Sequence, residues 1–223
     1  RSRAGASSST TSTASGSTVR GLVIRNFSSA AIVIQAGSSH NLIAGNYLGA
    51  LDSSGAFASG LATSPFAVLV EGDHNQIGGS SAADRNLFVS EGNNAGVFIE
   101  GSQAAGNQVQ GNHFGVNVAG SAVQGGSFVA VGVSNAGAGN AIGGPAAGQG
   151  NLIAGSIRID GSSSDTLVQG NRLGVSADGS SALYNNGTLI YQTGGTHTQY
   201  LDNWLAGADG YGLYLQAGSA LIQ

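Results

Sequence analysis

Seven short segments of the chain alternate inward-type apolar residues with other residues at a period of two: 32–35 (Ile-Val-Ile-Gln), 68–71 (Val-Leu-Val-Glu), 97–100 (Val-Phe-Ile-Glu), 131–134 (Val-Gly-Val-Ser), 157–160 (Ile-Arg-Ile-Asp), 189–192 (Leu-Ile-Tyr-Gln) and 213–216 (Leu-Tyr-Leu-Gln). Such alternation, bounded by Gly, Asn and Ser, predicts short β-strands with one buried face. A second phrase returns between them: Asn41-Leu-Ile-Ala-Gly-Asn46, Asn75-Gln-Ile-Gly-Gly-Ser80, Asn107-Gln-Val-Gln-Gly-Asn112, Asn140-Ala-Ile-Gly-Gly-Pro145, Thr166-Leu-Val-Gln-Gly-Asn171 and Thr198-Gln-Tyr-Leu-Asp-Asn203. Its copies start 34, 32, 33, 26 and 32 residues apart. A recurring unit of that length marks a solenoid, in which each unit buries its apolar face only against its neighbours. The third residue of each phrase (Ile43, Ile77, Val109, Ile142, Val168, Tyr200) is expected to point inward. No stretch offers a helical apolar stripe free of Gly and Asn.

A longer rhythm runs through the short one. Ile77-Gly-Gly79 returns as Ile142-Gly-Gly144, Asn86-Leu-Phe88 as Asn151-Leu-Ile153, and Gly45-Asn46 as Gly111-Asn112, at shifts of 65, 65 and 66 residues. Two kinds of rung are therefore expected to alternate. One ends in a wide polar loop (49–64, 115–127, 174–187), and the other continues through a third strand beginning at Asn86 or Asn151. Residues 5–18 are a Ser/Thr/Gly-rich run without apolar periodicity, so 1–18 reads as a flexible lead-in or linker and 19–223 as the solenoid.

These motifs, with Ser-Ala-Asp-Gly-Ser at 176–180, resemble the right-handed parallel β-helix repeats of secreted and cell-surface bacterial proteins of the pectate-lyase-like group. The resemblance covers most of 19–223. It implies an all-β fold, a right-handed parallel β-helix of roughly seven to eight rungs. That group contains polysaccharide lyases and hydrolases, adhesin passengers, phage tailspikes and modules without catalysis, so the resemblance speaks to architecture and leaves activity open.

Composition narrows the partners. Only 8% of residues are charged, there is no Lys and the seven Arg are scattered, so the basic patch that nucleic-acid binding needs is missing. With neither Cys nor Met, disulfide staples and thiolate metal sites are excluded, which suits an extracellular or cell-surface bacterial protein. No apolar run is long enough for a membrane-spanning helix.

The numerous asparagines fall at two registers. Asn41, Asn75, Asn107 and Asn140 form one set and Asn46, Asn112, Asn171 and Asn203 the other, and both are expected to form structural amide ladders along the axis. The outward positions of the alternating strand read Val33 and Gln35, Leu69 and Glu71, Phe98 and Glu100, Gly132 and Ser134, Arg158 and Asp160, Ile190 and Gln192, Tyr214 and Gln216. An apolar and aromatic lane beside a lane of carboxylates and amides suits a sugar, and Glu71, Phe98, Glu100, Arg158, Asp160 and Tyr214 are the candidate ligand-binding residues. The competing expectation is that the wide loops fold over this strip and bury it.

No catalytic residue is assigned, Glu71, Glu100 and Asp160 being the alternative, because carboxylates one or two rungs apart fall at glycosidase separations. The Ca²⁺ cluster with a basic residue that lyases of this architecture use, and the clustered Asp of polygalacturonases, have no counterpart here. No cofactor and no metal are expected; the alternative metal set is His40 and His74, which share a register, with Asp73.

The sequence thus reads as an extracellular structural or adhesive scaffold with a carbohydrate-binding strip. The alternatives are a polysaccharide lyase or glycoside hydrolase, and a surface-filament subunit. The chain stops partway into another Asn-x-Ile phrase, from which further repeats of a parent chain, a capping partner or end-to-end self-association are expected.

Overall fold

A computed structural model of the protein describes residues 13–60, 66–90, 95–125, 128–183 and 187–223. The chain winds as a right-handed parallel β-helix whose turns build three sheets, every strand pairing in parallel with its counterparts one turn before and after. The first sheet has eight strands: Thr18–Arg20, Leu42–Ala44, Gln76–Gly78, Gln108–Gln110, Ala141–Gly143, Leu167–Gln169, Thr198–Leu201 and Ala220–Ile222. The second has seven: Val23–Ile24, Tyr47–Gly49, Leu87–Val89, His113–Phe114, Leu152–Ile153, Arg172–Leu173 and Trp204–Leu205. The third, also of seven, contains Ala30–Ile34, Phe66–Val70, Ala95–Glu100, Val129–Ser134, Ser156–Asp160, Ile190–Gln192 and Leu213–Leu215. Among the described residues no helix is long and apolar enough to cross a membrane.

The core is a column of stacked side chains. Ile43, Ile77, Val109, Ile142, Val168 and Tyr200 come from the first sheet, Leu48, Phe88, Phe114, Ile153 and Leu173 from the second, and Val70, Ile99, Val133 and Ile159 from the third, all of them buried. Like residues stack on like, so Phe88 and Phe114 lie 4.6 Å apart with their rings 7° from parallel.

Two asparagine ladders bracket the first sheet. At its entry the backbone N–H and Nδ2 of Asn41 both donate to Oδ1 of Asn75, at 2.9 Å each. Asn75 repeats this with Asn107, and Asn107 with Asn140. Thr166 and Thr198 follow in the next rungs, their buried hydroxyls without a partner. At the exit the ladder runs Asn46, Asn86, Asn112, Asn151, Asn171, Asn203 without a break. Asn86 and Asn151 thus interleave with the four residues that the sequence places at this register.

The alternation of two rung types takes a different form from the one expected. Each of the first seven rungs carries a strand of the second sheet; what alternates is the position of the extra residues. In one type they fall between first and second sheets (79–85 and 144–150). In the other they follow the second sheet, where the described part of each wide loop makes a small hairpin bridged at Leu51 and Phe57, Val116 and Val123, or Val175 and Ala182.

Each hairpin turns on an acceptor side chain. Asp52 accepts from Ser54, Asn117 from the Ser121 backbone, and Asp178 from Ser176 and Ser180. The Ser176 hydroxyl, followed by the Ser180 donors, holds the Asp178 carboxyl at about 2.

At the start of the chain, hydrogen bonding to the next rung reaches back to Ala14. Its N–H donates to Ser38 Oγ, and that of Ser17 donates to Asn41 Oδ1. The rest of the expected lead-in, residues 1–12, lies outside the described residues.

Candidate functional site

The outward face of the third sheet carries one side chain per rung in a straight lane. Strand register aligns Val33, Leu69, Phe98, Gly132, Arg158, Tyr191 and Tyr214. Beside it runs a polar lane of Gln35, Glu71, Glu100, Ser134, Asp160, Thr193 and Gln216. Strand geometry sets each rung about 4.8 Å from the next, so the lane repeats at regular intervals.

One rung departs from the sequence expectation. Ile190 and Gln192, read as outward, are buried, and Tyr191 takes the outward place between Arg158 and Tyr214. Leu189 and Ile190 are both apolar, so period-two alternation fits either phase of this segment. The core decides, because Ile190 pairs with Ile157 while Gln192 turns its amide inward to meet the Tyr200 hydroxyl at 3.0 Å.

The lane holds two aromatic clusters. At one, Phe66 stacks on Phe98 at 4.9 Å. Phe98 in turn lies over the backbone of Gly132, where a β-carbon would come within 2.5 Å of its ring. At the other, Tyr191 stacks on Tyr214 at 5.0 Å and 6° from parallel, and the exposed Tyr211 leans on Tyr214 at 5.3 Å. Arg158 sits between the clusters, its guanidinium carbon 6.0 Å from the Tyr191 ring centre and its Nε donating to Asp160 at 3.0 Å. Tyr191 donates its hydroxyl hydrogen to Gln216.

The structure brings together Phe98, Arg158, Asp160 and Tyr214 of the sequence candidates along one face. Glu71 and Glu100 line a shallow depression at its polar edge with Ser134 and Asn135. Phe66, Tyr191 and Tyr211 join them. Phe66 lies outside the four-residue alternating window that marks its strand, Tyr191 is hidden by the phase ambiguity, and Tyr211 precedes its strand, so none carries a period-two signal.

The described parts of the wide loops do not cover this strip, contrary to the competing expectation. Their apolar residues pack on the outward face of the second sheet instead, Ala50 and Leu51 against Leu87 and Val89, and Val116 and Leu183 against Leu152 and Ala154. Compared with protein-family models, curated proteins and solved structures, the chain finds no match.

The histidines are set by the backbone. His40, His74, Gly106, Gly139, Asp165 and His197 occupy one corner of successive rungs, all with positive φ of 49° to 77°. A left-handed corner favours Gly and tolerates Asp and His. The rings of His40 and His74 stack at 5.6 Å, and His74 Nδ1 lies 2.7 Å from an Asp73 oxygen, which lowers the Asp73 pKa. Among the described residues no three His, Cys, Asp or Glu side chains are grouped to hold a metal ion.

Proposed function

We propose that this protein is an exported β-helical module of the pectate-lyase-like type, acting outside the cell as a rigid scaffold that binds carbohydrate along the third sheet. The observation that carries the reading is the pairing of two lanes on a face that the described parts of the wide loops leave uncovered. Stacked aromatic rings at Phe66–Phe98 and at Tyr191–Tyr214–Tyr211 run beside Glu71, Glu100, Asp160 and Gln216. Aromatic faces pack on the C–H faces of sugar rings, while carboxylates and amides accept and donate to hydroxyls.

Rigidity supports affinity here. The rings are stacked on one another or seated on Gly132, and Arg158 is fixed by Asp160, so little side-chain entropy remains to be lost on binding. The clusters are separated by three rungs, roughly 14 Å, which favours an extended oligosaccharide over a monosaccharide.

The test is a glycan-array screen of the purified protein, with reducing-end release followed on each polysaccharide that binds. Binding without release, lost in Phe98→Ala and Tyr191→Ala, is the expected result. Release of reducing ends would replace the scaffold reading with an enzyme, and absence of any glycan ligand would remove the carbohydrate role.

A further inference from the structure

The opposite side of the rung carries a second feature that the strip does not use. On the outward face of the second sheet, register aligns Tyr47, Leu87, His113, Leu152, Arg172 and Trp204. Around His113 and Arg172 opens a cleft of about 350 Å³, also lined by Arg85, by the glycine-rich turn at 144–150 and by Ala177. Among the described residues no carboxylate lines it.

Two of the five described arginines thus converge on one cleft in a protein whose charged residues are few. Arg20 and Arg158 are paired with Asp84 and Asp160, whereas among the described residues neither Arg85 nor Arg172 has a carboxylate within 4.0 Å. Both are nonetheless held in place. Arg85 Nε donates to the Gly111 carbonyl at 3.4 Å, and Arg172 donates to the Ala177 carbonyl and lies 5.7 Å from the centre of the Trp204 ring. Among the described residues their remaining guanidinium N–H groups have no acceptor. Beneath them His113 is 5% exposed and its Nδ1 has no partner among the described residues. Burial, with the positive charge of Arg85 behind it, lowers the His113 pKa to about 4, so at neutral pH the imidazole is uncharged beside the two guanidinium groups.

We propose that the Arg85–His113–Arg172 cleft is an anion site that takes oxyanion groups, a sulfate, phosphate or carboxylate. Planar guanidinium forks match such groups through paired N–H···O bonds, and a charge-assisted bond is worth more than its neutral equivalent. The site is independent of the carbohydrate strip, which lies on another sheet.

The experiment is a titration of the whole protein with sodium sulfate, then sodium phosphate and sodium glucuronate, at constant ionic strength. It is followed by backbone amide NMR shifts at Gly148, Gly150 and His113. Saturable shifts confined to these residues are expected, with at least about tenfold weaker binding in both Arg85→Gln and Arg172→Gln and none of that loss in Arg25→Gln. The strongest of the three probes identifies the oxyanion class. Linear, non-saturating shifts with all three anions, or wild-type affinity in Arg85→Gln, overturn the proposal. Arg172→Lys, which keeps the charge and the packing stem, separates loss of the fork from loss of folding.

Discussion

The Tyr200 hydroxyl donates to Oε1 of Gln192 at 3.0 Å inside the β-helix, and both residues are almost completely buried. Tyr200 stands where earlier rungs place Ile or Val, so it brings a polar atom into the core. Burial raises its pKa. Gln192 answers that atom, and its own Nε2 is satisfied by the Gly194 carbonyl at 2.9 Å. This pair fixes the phase of the sixth strand of the third sheet and so turns Tyr191 outward. Tyr200→Phe is expected to cost about 1–3 kcal/mol by leaving Gln192 Oε1 unpaired. Tyr200→Phe with Gln192→Leu should recover part of that loss, and urea denaturation of the two variants decides; additive losses would contradict the account.

The same phase gives adjacent residues opposite roles. Ile190→Ala should lower stability by about 2–4 kcal/mol through a core cavity while leaving glycan affinity unchanged. Tyr191→Ala should do the reverse, weakening binding about tenfold with little change in the denaturation midpoint. Exchange of these two phenotypes would mean that the strand sits one residue out of phase.

Gly132 is a seat for the Phe98 ring. Substituting Val puts a branched side chain into the space the ring fills and forces Phe98 off the strip. Gly132→Val is expected to abolish binding at the Phe66–Phe98 cluster with the β-helix still folded, as read by circular dichroism alongside glycan binding. Retained affinity would show that this cluster does not touch ligand.

Position along an asparagine ladder should govern the cost of cutting it. Asn112 donates to Asn151, Ile77 and Gln110 and accepts from Asn86, all within the buried interior. Asn112→Ala orphans several of those groups at once, an expected loss of about 3 kcal/mol or more. Asn203 is half-buried at the last step of the ladder, and Asn203→Ala should cost about 1 kcal/mol. Equal losses in urea denaturation would refute a cooperative ladder.

His113 supplies a pH dependence with a definite sign. Its pKa falls from 6.5 in the unfolded chain to about 4 in the folded protein, chiefly through burial. The unfolded state therefore takes up a proton that the folded state refuses. Stability is full above pH 6.5 and declines as the pH falls towards 4, by about 3 kcal/mol in total. His113→Leu, which matches its rung neighbours Leu87 and Leu152, should flatten this slope. Parallel stability curves for the two proteins between pH 6.5 and 4 would exclude His113 as the cause.

The amino-acid sequence alone determined the solenoid, its two-rung rhythm of motifs and the inward stack of Ile, Val and Leu. These follow from local rules: alternation decides which face is apolar, and Gly, Asn and His mark corners where the backbone turns left-handed. It also placed Phe98, Arg158 and Tyr214 on one outward lane, since a fixed register carries any regular pattern from rung to rung. Tertiary structure alone decided the rest. Asn86 and Asn151 enter the exit ladder although its steps span 40, 26, 39, 20 and 32 residues, because extra residues loop out on alternate rungs and erase a constant spacing. Tyr191 faces outward because Tyr200, eight residues after Gln192, needs that glutamine inside. Arg85 and Arg172 meet at one cleft because stacking, rather than sequence distance, sets their neighbours. A solenoid converts local periodicity into architecture, but which polar residues share a surface depends on the phase of each rung, and packing against the adjacent rungs settles that phase.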